Sequence, residues 1–162
     1  MDNMMNPELE LNQFTNQFKS CVIASKTKAQ MPYTSYAPFI KLDNDYYLII
    51  SKIAKHYENF MHEHIANLMF IEDEKTAKSI YFRKRLSFLV DIKLPIEDEQ
   101  VKKEFVRVFG STVQMLLGMD FVIVKCVVRE GMMILGPGMA YEIDHNQKIK
   151  EQIRPSQGHK KS

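Results

Sequence analysis

Phe39-Ile40-Lys41-Leu42-Asp43-Asn44-Asp45-Tyr46-Tyr47-Leu48-Ile49-Ile50 is the stretch on which the fold turns. Apolar and aromatic β-formers stand on both sides of an Asp/Asn turn. That is a hairpin pattern, because Asn and Asp tolerate the backbone a tight reversal needs. On its N-terminal side, Met31–Pro38 holds two prolines and two tyrosines and is expected to begin as a loop. Before it, Cys21-Val22-Ile23-Ala24 within Ser20–Lys26 predicts a short strand. Leu9, Leu11, Phe14 and Phe18 place a short helix in Glu8–Lys19.

C-terminal to the hairpin, Ser51–Phe60 predicts a helix with Ser51 as its cap and Ile53, Tyr57 and Phe60 on one face. Ile65–Ile71 predicts a strand, Lys75–Ile80 a helical turn, and Tyr81–Leu94 a long strand stopped by Pro95. Glu97-Asp98-Glu99 opens a second helix, with acids at the positive end of its dipole and Val101, Phe105, Val108 and Phe109 as its apolar face. Gly110 and Gly118 bracket a further short helix. Asp120–Arg129 and Met132–Leu135 are expected to form a hairpin over Glu130-Gly131, with one more strand at Ala140–Ile143. Six or seven antiparallel strands with short helices point to a mainly β fold. Closing them into a small barrel removes exposed edges. Residues 1–30 form the N-terminal helix and first strand, and 31–144 the barrel core. Residues 145–162 are a polar tail that lacks the apolar residues to fold alone.

Composition narrows the function. The 162 residues carry 22 basic and 20 acidic side chains, a net charge of +2. That balance argues against a general nucleic-acid binder, whose affinity rests on clustered cations. Two distant cysteines, Cys21 and Cys126, predict buried reduced thiols rather than a disulfide framework or zinc cluster. Neither an apolar leader nor a membrane-length apolar run is present, so a cytoplasmic protein is expected. His62-Glu63-His64 lacks a third nearby ligand and is taken as loop.

Four blocks then resemble one family. Pro32-Tyr33-Thr34-Ser35-Tyr36-Ala37-Pro38-Phe39 is similar to its P-x-x-S-Y-A-P-F opening, and Met69–Glu74 with Ala77-Lys78 and Arg83–Leu86 to its L-M-F-I-E-D-E…A-R-x-R-L segment. Gly118-Met119-Asp120-Phe121 resembles its G-x-D-F, and Gly136–Tyr141 its G-F-G-x-A-Y strand. The blocks keep the family's order over about Pro32 to Tyr141. The family is the HugZ-type haem-utilisation and haem oxygenase proteins, within the pyridoxamine-5′-phosphate-oxidase-like, FMN-binding split barrels. Two departures stand out. Many such relatives carry an additional N-terminal domain before the first block, and here Pro137 replaces an aromatic between Gly136 and Gly138.

The resemblance implies a dimeric split barrel that binds haem at its subunit interface and degrades it for iron, with electrons from an unidentified donor. It places the axial iron ligand on the tail, where His159 is the candidate. It gives Asp120 as a carboxylate that orients the ligand histidine, although a polar residue opening a strand is the plainer reading. Arg83 and Arg85, two apart on the expected long strand, would share a face and offer planar contacts to a propionate or to dioxygen. A solvated edge with gatekeeping cations is the alternative. His56 lies in an A-x-H-x-x-N pattern that lines the cofactor site in relatives, and Ser35 and Tyr36 are expected at the pocket mouth. Two other functions stay open: an FMN-dependent oxidoreductase using Arg83, Lys84, Arg85, Ser35 and Thr34 for the phosphate, and a non-catalytic haem carrier.

Overall fold

Alternating burial builds most of the molecule. In a computed structural model that describes residues 5–154, eight antiparallel strands and four short α-helices form one sheet closed on itself. The strands are β1 Ser20–Lys26, β2 Pro32–Leu42, β3 Asp45–Ser51, β4 Ile65–Ile71, β5 Arg85–Lys93, β6 Phe121–Gly136, β7 Met139–Ile143 and β8 Ile149–Ile153. The order β3-β2-β1-β4-β5-β6 closes through a β3–β6 pairing, and β7 and β8 extend the sheet beyond β6. The mainly β, antiparallel split-barrel expectation is met, with six strands in the closed part.

The hairpin read first is β2–β3, with Leu42 facing Asp45 and Asp43 in the left-handed region at φ 54°. Tyr46, Leu48 and Ile50 point into the barrel beside Phe39, Phe70 and Phe88. Tyr47 and Ile49 point out, and α3 (Glu99–Phe109) and α4 (Thr112–Leu117) cover them through Val101, Phe105 and Val113. Burial on both faces is why β3 is a continuous apolar run rather than an alternating one. Asp98 caps α3, its carboxylate accepting from the N–H groups of Gln100 and Val101.

Four expectations change. Pro32–Pro38 is strand, not loop, because it pairs along its whole length with β1. The helix α2 begins at Lys55 and ends at His62, leaving Ser51 as the last residue of β3. Residues 120–135 hold no hairpin: β6 is one 16-residue strand. Its register against β5 slips between Val128 and Glu130, a bulge that bends the strand, and Gly131 follows for a packing reason. A β-carbon there would sit 2.6 Å from Phe88 Cδ1 and 2.7 Å from the Ser87 carbonyl oxygen. Only glycine allows the two strands so close. Finally, part of the polar tail is structured. Ile149–Ile153 adds to β7, and the Ile149 N–H donates to Glu8 at 2.9 Å.

Candidate functional site

The predicted site residues fall into three groups. In the first, Ser35 on β2 and His56 on α2 meet, with Ser35 Oγ 2.8 Å from His56 Nδ1. His56 is only 8% exposed and stacks parallel on Phe60 at 5.9 Å. Burial holds its pKa below the usual histidine value, so the ring is neutral at pH 7. One turn on, fully buried Asn59 donates to Ser25 Oγ on β1 at 3.1 Å. Its Oδ1 has no partner among the described residues. Beside Ser25, β1 and β4 pair over only three residues, and a largely apolar groove of about 350 Å³ opens between Ala24, Pro32, Asn67 and Leu89.

Asp120 forms the second group, in the turn ahead of β6. Its Oδ2 accepts a hydrogen bond from Ser51 Oγ, and its main-chain carbonyl accepts from Lys52 N–H at 2.9 Å. The β3–β6 pairing, with Ser51 opposite Phe121, sets that contact. Among the described residues nothing donates to Oδ1.

The third group corrects the arginine pair. The strand starts at Arg85, so Arg83 belongs to the preceding turn and the two do not share a strand face. Arg83 turns back onto the β4 end: its Nε and Nη2 donate to the Glu72 carbonyl at 3.1 and 2.7 Å, and Glu74 lies 3.9 Å from Nη1. That guanidinium is occupied in holding the 72–84 loop. Arg85 Nη1 donates to the Arg83 carbonyl at 2.8 Å. No carboxylate lies within ion-pair distance of Arg85 among the described residues.

Arg85 projects from the outer face of the sheet, opposite the buried Leu86. The cross-strand row Tyr36, Val22, Met69, Ser87, Met132 lies on the same face, as do Ile71 and Ile134, the direct neighbours of Arg85. Tyr36 is 67% exposed, whereas the apolar members are half-buried. Ser35 and Tyr36 thus leave opposite faces of β2 and serve different surroundings. Asp120 and Arg85 also lie far apart, because Arg85 pairs with Ile134 near the far end of β6.

His159 lies outside the described residues. His62 and His64 flank the α2–β4 connection, and no three His, Cys, Asp or Glu side chains cluster as a metal site among the described residues. Asn59 and Ser25 were not singled out from sequence. The i, i+3 spacing of His56 and Asn59, which puts both on one helix face, is the signal that could have found them. A groove of about 530 Å³ between α3 and α4 contains none of the predicted residues.

Comparison with known proteins supplies the context. The chain is 29% identical over 159 residues to the haem oxygenase HutZ of Vibrio cholerae, covering 95% of this chain and 90% of HutZ. Among solved structures it resembles Campylobacter jejuni ChuZ, with a TM-score of 0.80, 30% identity and 92% of this chain covered. The match spans 63% of the ChuZ chain. A structure of HutZ described as the haem storage protein of Vibrio cholerae matches with a TM-score of 0.70 and 27% identity, over 85% of this chain and 94% of that one. The family model for pyridoxamine 5′-phosphate oxidase matches residues 8–128, most of the barrel. This chain therefore belongs to the pyridoxamine 5′-phosphate oxidase family of split barrels.

Proposed function

We propose that this protein binds haem between two copies of itself and cleaves it oxidatively for iron utilisation. The observation that carries the reading is Arg85, a cation without a carboxylate partner set in a half-buried apolar sheet face. A haem presents a flat apolar macrocycle with two propionates, and the face supplies both complements: Met69, Ile71, Met132 and Ile134 for the ring, and the Arg85 fork for a carboxylate. HutZ and ChuZ, the two relatives named above, support haem as the ligand.

Spacing along β6 supports a dimer. Asp120 and Arg85 are separated along β6 by the run to Ile134, roughly 45 Å of contour at about 3.3 Å per residue, shortened by the bulge. A dimer in which one copy supplies Arg85 and the other Asp120 fits that separation. A two-fold copy would bring its own Asp120 to the Arg85 face, and a partly apolar sheet face is a surface that a second subunit covers.

Haem supplies the redox chemistry when bound, and an external electron donor supplies the electrons. The protein's residues do the rest. His159 on the tail would ligate the iron, and the free Oδ1 of Asp120 would accept from the other ring nitrogen, fixing the tautomer. Ser51, which donates to Oδ2, holds that carboxylate in place. His56, kept neutral by burial and tied to Ser35, would support the pocket wall without adding charge.

Titrating the full chain with hemin tests the binding, and incubation with ascorbate under air tests the cleavage. A Soret band that forms and then decays with release of chelatable iron is expected. A Soret band that persists leaves a haem carrier, in line with the storage role given for HutZ. A flavin spectrum with no hemin binding would support the FMN reading, with which the family match is consistent.

A further inference from the structure

A second concave site lies away from the residues assigned to haem. Strand β2 outruns β1. The Phe39 N–H donates to the Lys19 carbonyl at 3.1 Å, and beyond it Ile40–Leu42 pair only with β3. The 3₁₀ helix Phe14–Gln17 and the C-terminal half of α3 flank this open edge, leaving a groove of about 320 Å³. Its apolar walls are Phe18 and Val108 over the buried Phe39 and Ile40, and its polar groups are Thr15, Asn16, Lys19 and Lys41 together with the Glu104–Arg107 pair.

The charges here do not cancel. Arg107 and Glu104 satisfy each other through two hydrogen bonds of 2.9 and 2.7 Å. Lys41 and Lys19 have no carboxylate within 4.0 Å among the described residues. A surface lysine ordinarily extends its ammonium into water. Lys41 instead lies over the Tyr46 ring, 5.6 Å from the centroid, and its burial lowers its pKa. An ammonium half-removed from water with no counter-ion is costly, and an anion entering the groove would offset that cost. The N–H of Lys41 points the same way as that of Phe39, by the alternation of a strand, and can donate to such an anion. Thr15, 3% exposed, sits at the groove floor with its hydroxyl in only a long contact, 3.4 Å, to Tyr46 Oη.

We propose that this groove is a binding site for a small aromatic carboxylate, with Lys41 and Lys19 facing the carboxylate and Phe18 and Val108 flanking the ring above the buried Phe39. The site is independent of the haem reading. Arg85 and its apolar neighbours lie on β4, β5 and β6, whereas the groove lies between the end of β2, the 3₁₀ helix and α3.

The test is a benzoate titration of the full chain followed by amide chemical shifts. Saturable shifts are expected at Ile40, Lys41 and Val108, with the same affinity when the chain is loaded with hemin. Lys41→Met is expected to weaken binding about tenfold, the worth of one charge-assisted contact, and Lys19→Met about threefold. Lys41→Arg is expected to stay within about threefold of wild type, because it keeps the charge. Removing a half-buried unpaired charge does not unfold the barrel, which melting of each variant checks. A second readout is the Lys41 ammonium, whose pKa rises on saturation. Non-saturable shifts, equal affinity in Lys41→Met, or inorganic phosphate binding as tightly as benzoate would each overturn the proposal.

Discussion

Arg83 and Arg85 stand two residues apart and are predicted to behave in opposite ways. Arg83→Ala strips the Glu72 carbonyl of two donors, at 3.1 and 2.7 Å, in a partly buried loop. Leaving such an acceptor unpaired costs about 1–2 kcal/mol, and water reaching the half-exposed site keeps it in that range. For a chain of this size each kcal/mol lowers Tm by about 2–4 °C, so a drop of about 2–8 °C is expected. Hemin affinity should stay within about threefold, because this guanidinium is already spent. Arg85→Ala loses a single 2.8 Å hydrogen bond to the Arg83 carbonyl, with a Tm change of about 2 °C or less. Its hemin affinity should fall about ten- to a hundredfold, the worth of a charge-assisted propionate contact. Soret titrations and thermal melts of the two apoproteins decide the matter. Equal loss of hemin affinity in both variants, or wild-type affinity in Arg85→Ala, would refute the assignment.

Gly131→Ala forces a β-carbon to within 2.7 Å of the Ser87 carbonyl. It should cost about 2–3 kcal/mol and lower Tm by about 4–12 °C by calorimetry; an unchanged Tm would mean β5 and β6 are not held that close. His56 has a folded pKa below its unfolded value, so the unfolded chain binds the extra proton. Stability is then full above about pH 6.5 and falls as the pH drops toward the folded pKa. Denaturant midpoints between pH 7.5 and 5 should show this fall, and His56→Gln should flatten it; an equal slope in the variant would rule out His56 as its source. His159→Ala should weaken hemin binding and shift the Soret band, whereas His62→Ala should do neither; a normal spectrum for the His159 variant would refute the tail ligand.

The barrel was legible because its strands obey period two, and β3 because both its faces are covered. The misreadings share a cause: a local signal was produced by a distant contact. Glu130-Gly131 looks like a turn, yet the glycine answers to Phe88 across the sheet. Ile149–Ile153 is too polar to predict as a strand. It is held by β7, by Glu8 accepting from Ile149 N–H, and by Gln147 donating to the Asn44 carbonyl at 2.6 Å. Arg83 has strand-like neighbours, but the Glu72 carbonyl captures it before the ladder begins. The motif resemblance singled out His56, Ser35 and Asp120, and their roles belong to the proposed function. Ser35 and Tyr36 fall on opposite sides of the sheet because Pro32–Pro38 is strand, where the sequence pattern pointed to a loop.

That separation bears on how haem and assembly depend on each other. If one haem is held by Arg85 of one copy and Asp120 of another, the ligand contacts only the dimer fully, and binding must stabilise association by the ratio of its affinities for dimer and monomer. The reciprocal holds as well: dilution that splits the dimer weakens haem binding by the same factor, without any change in Arg85 or Asp120. The outer face is then under two demands. It must be apolar enough to pair with a copy of itself, yet the Arg85 charge must be stabilised there. Its single main-chain contact, to the Arg83 carbonyl, leaves most of the guanidinium to be satisfied by something else. A propionate at that position meets both demands, because it pairs the charge when the apolar surface around it is covered.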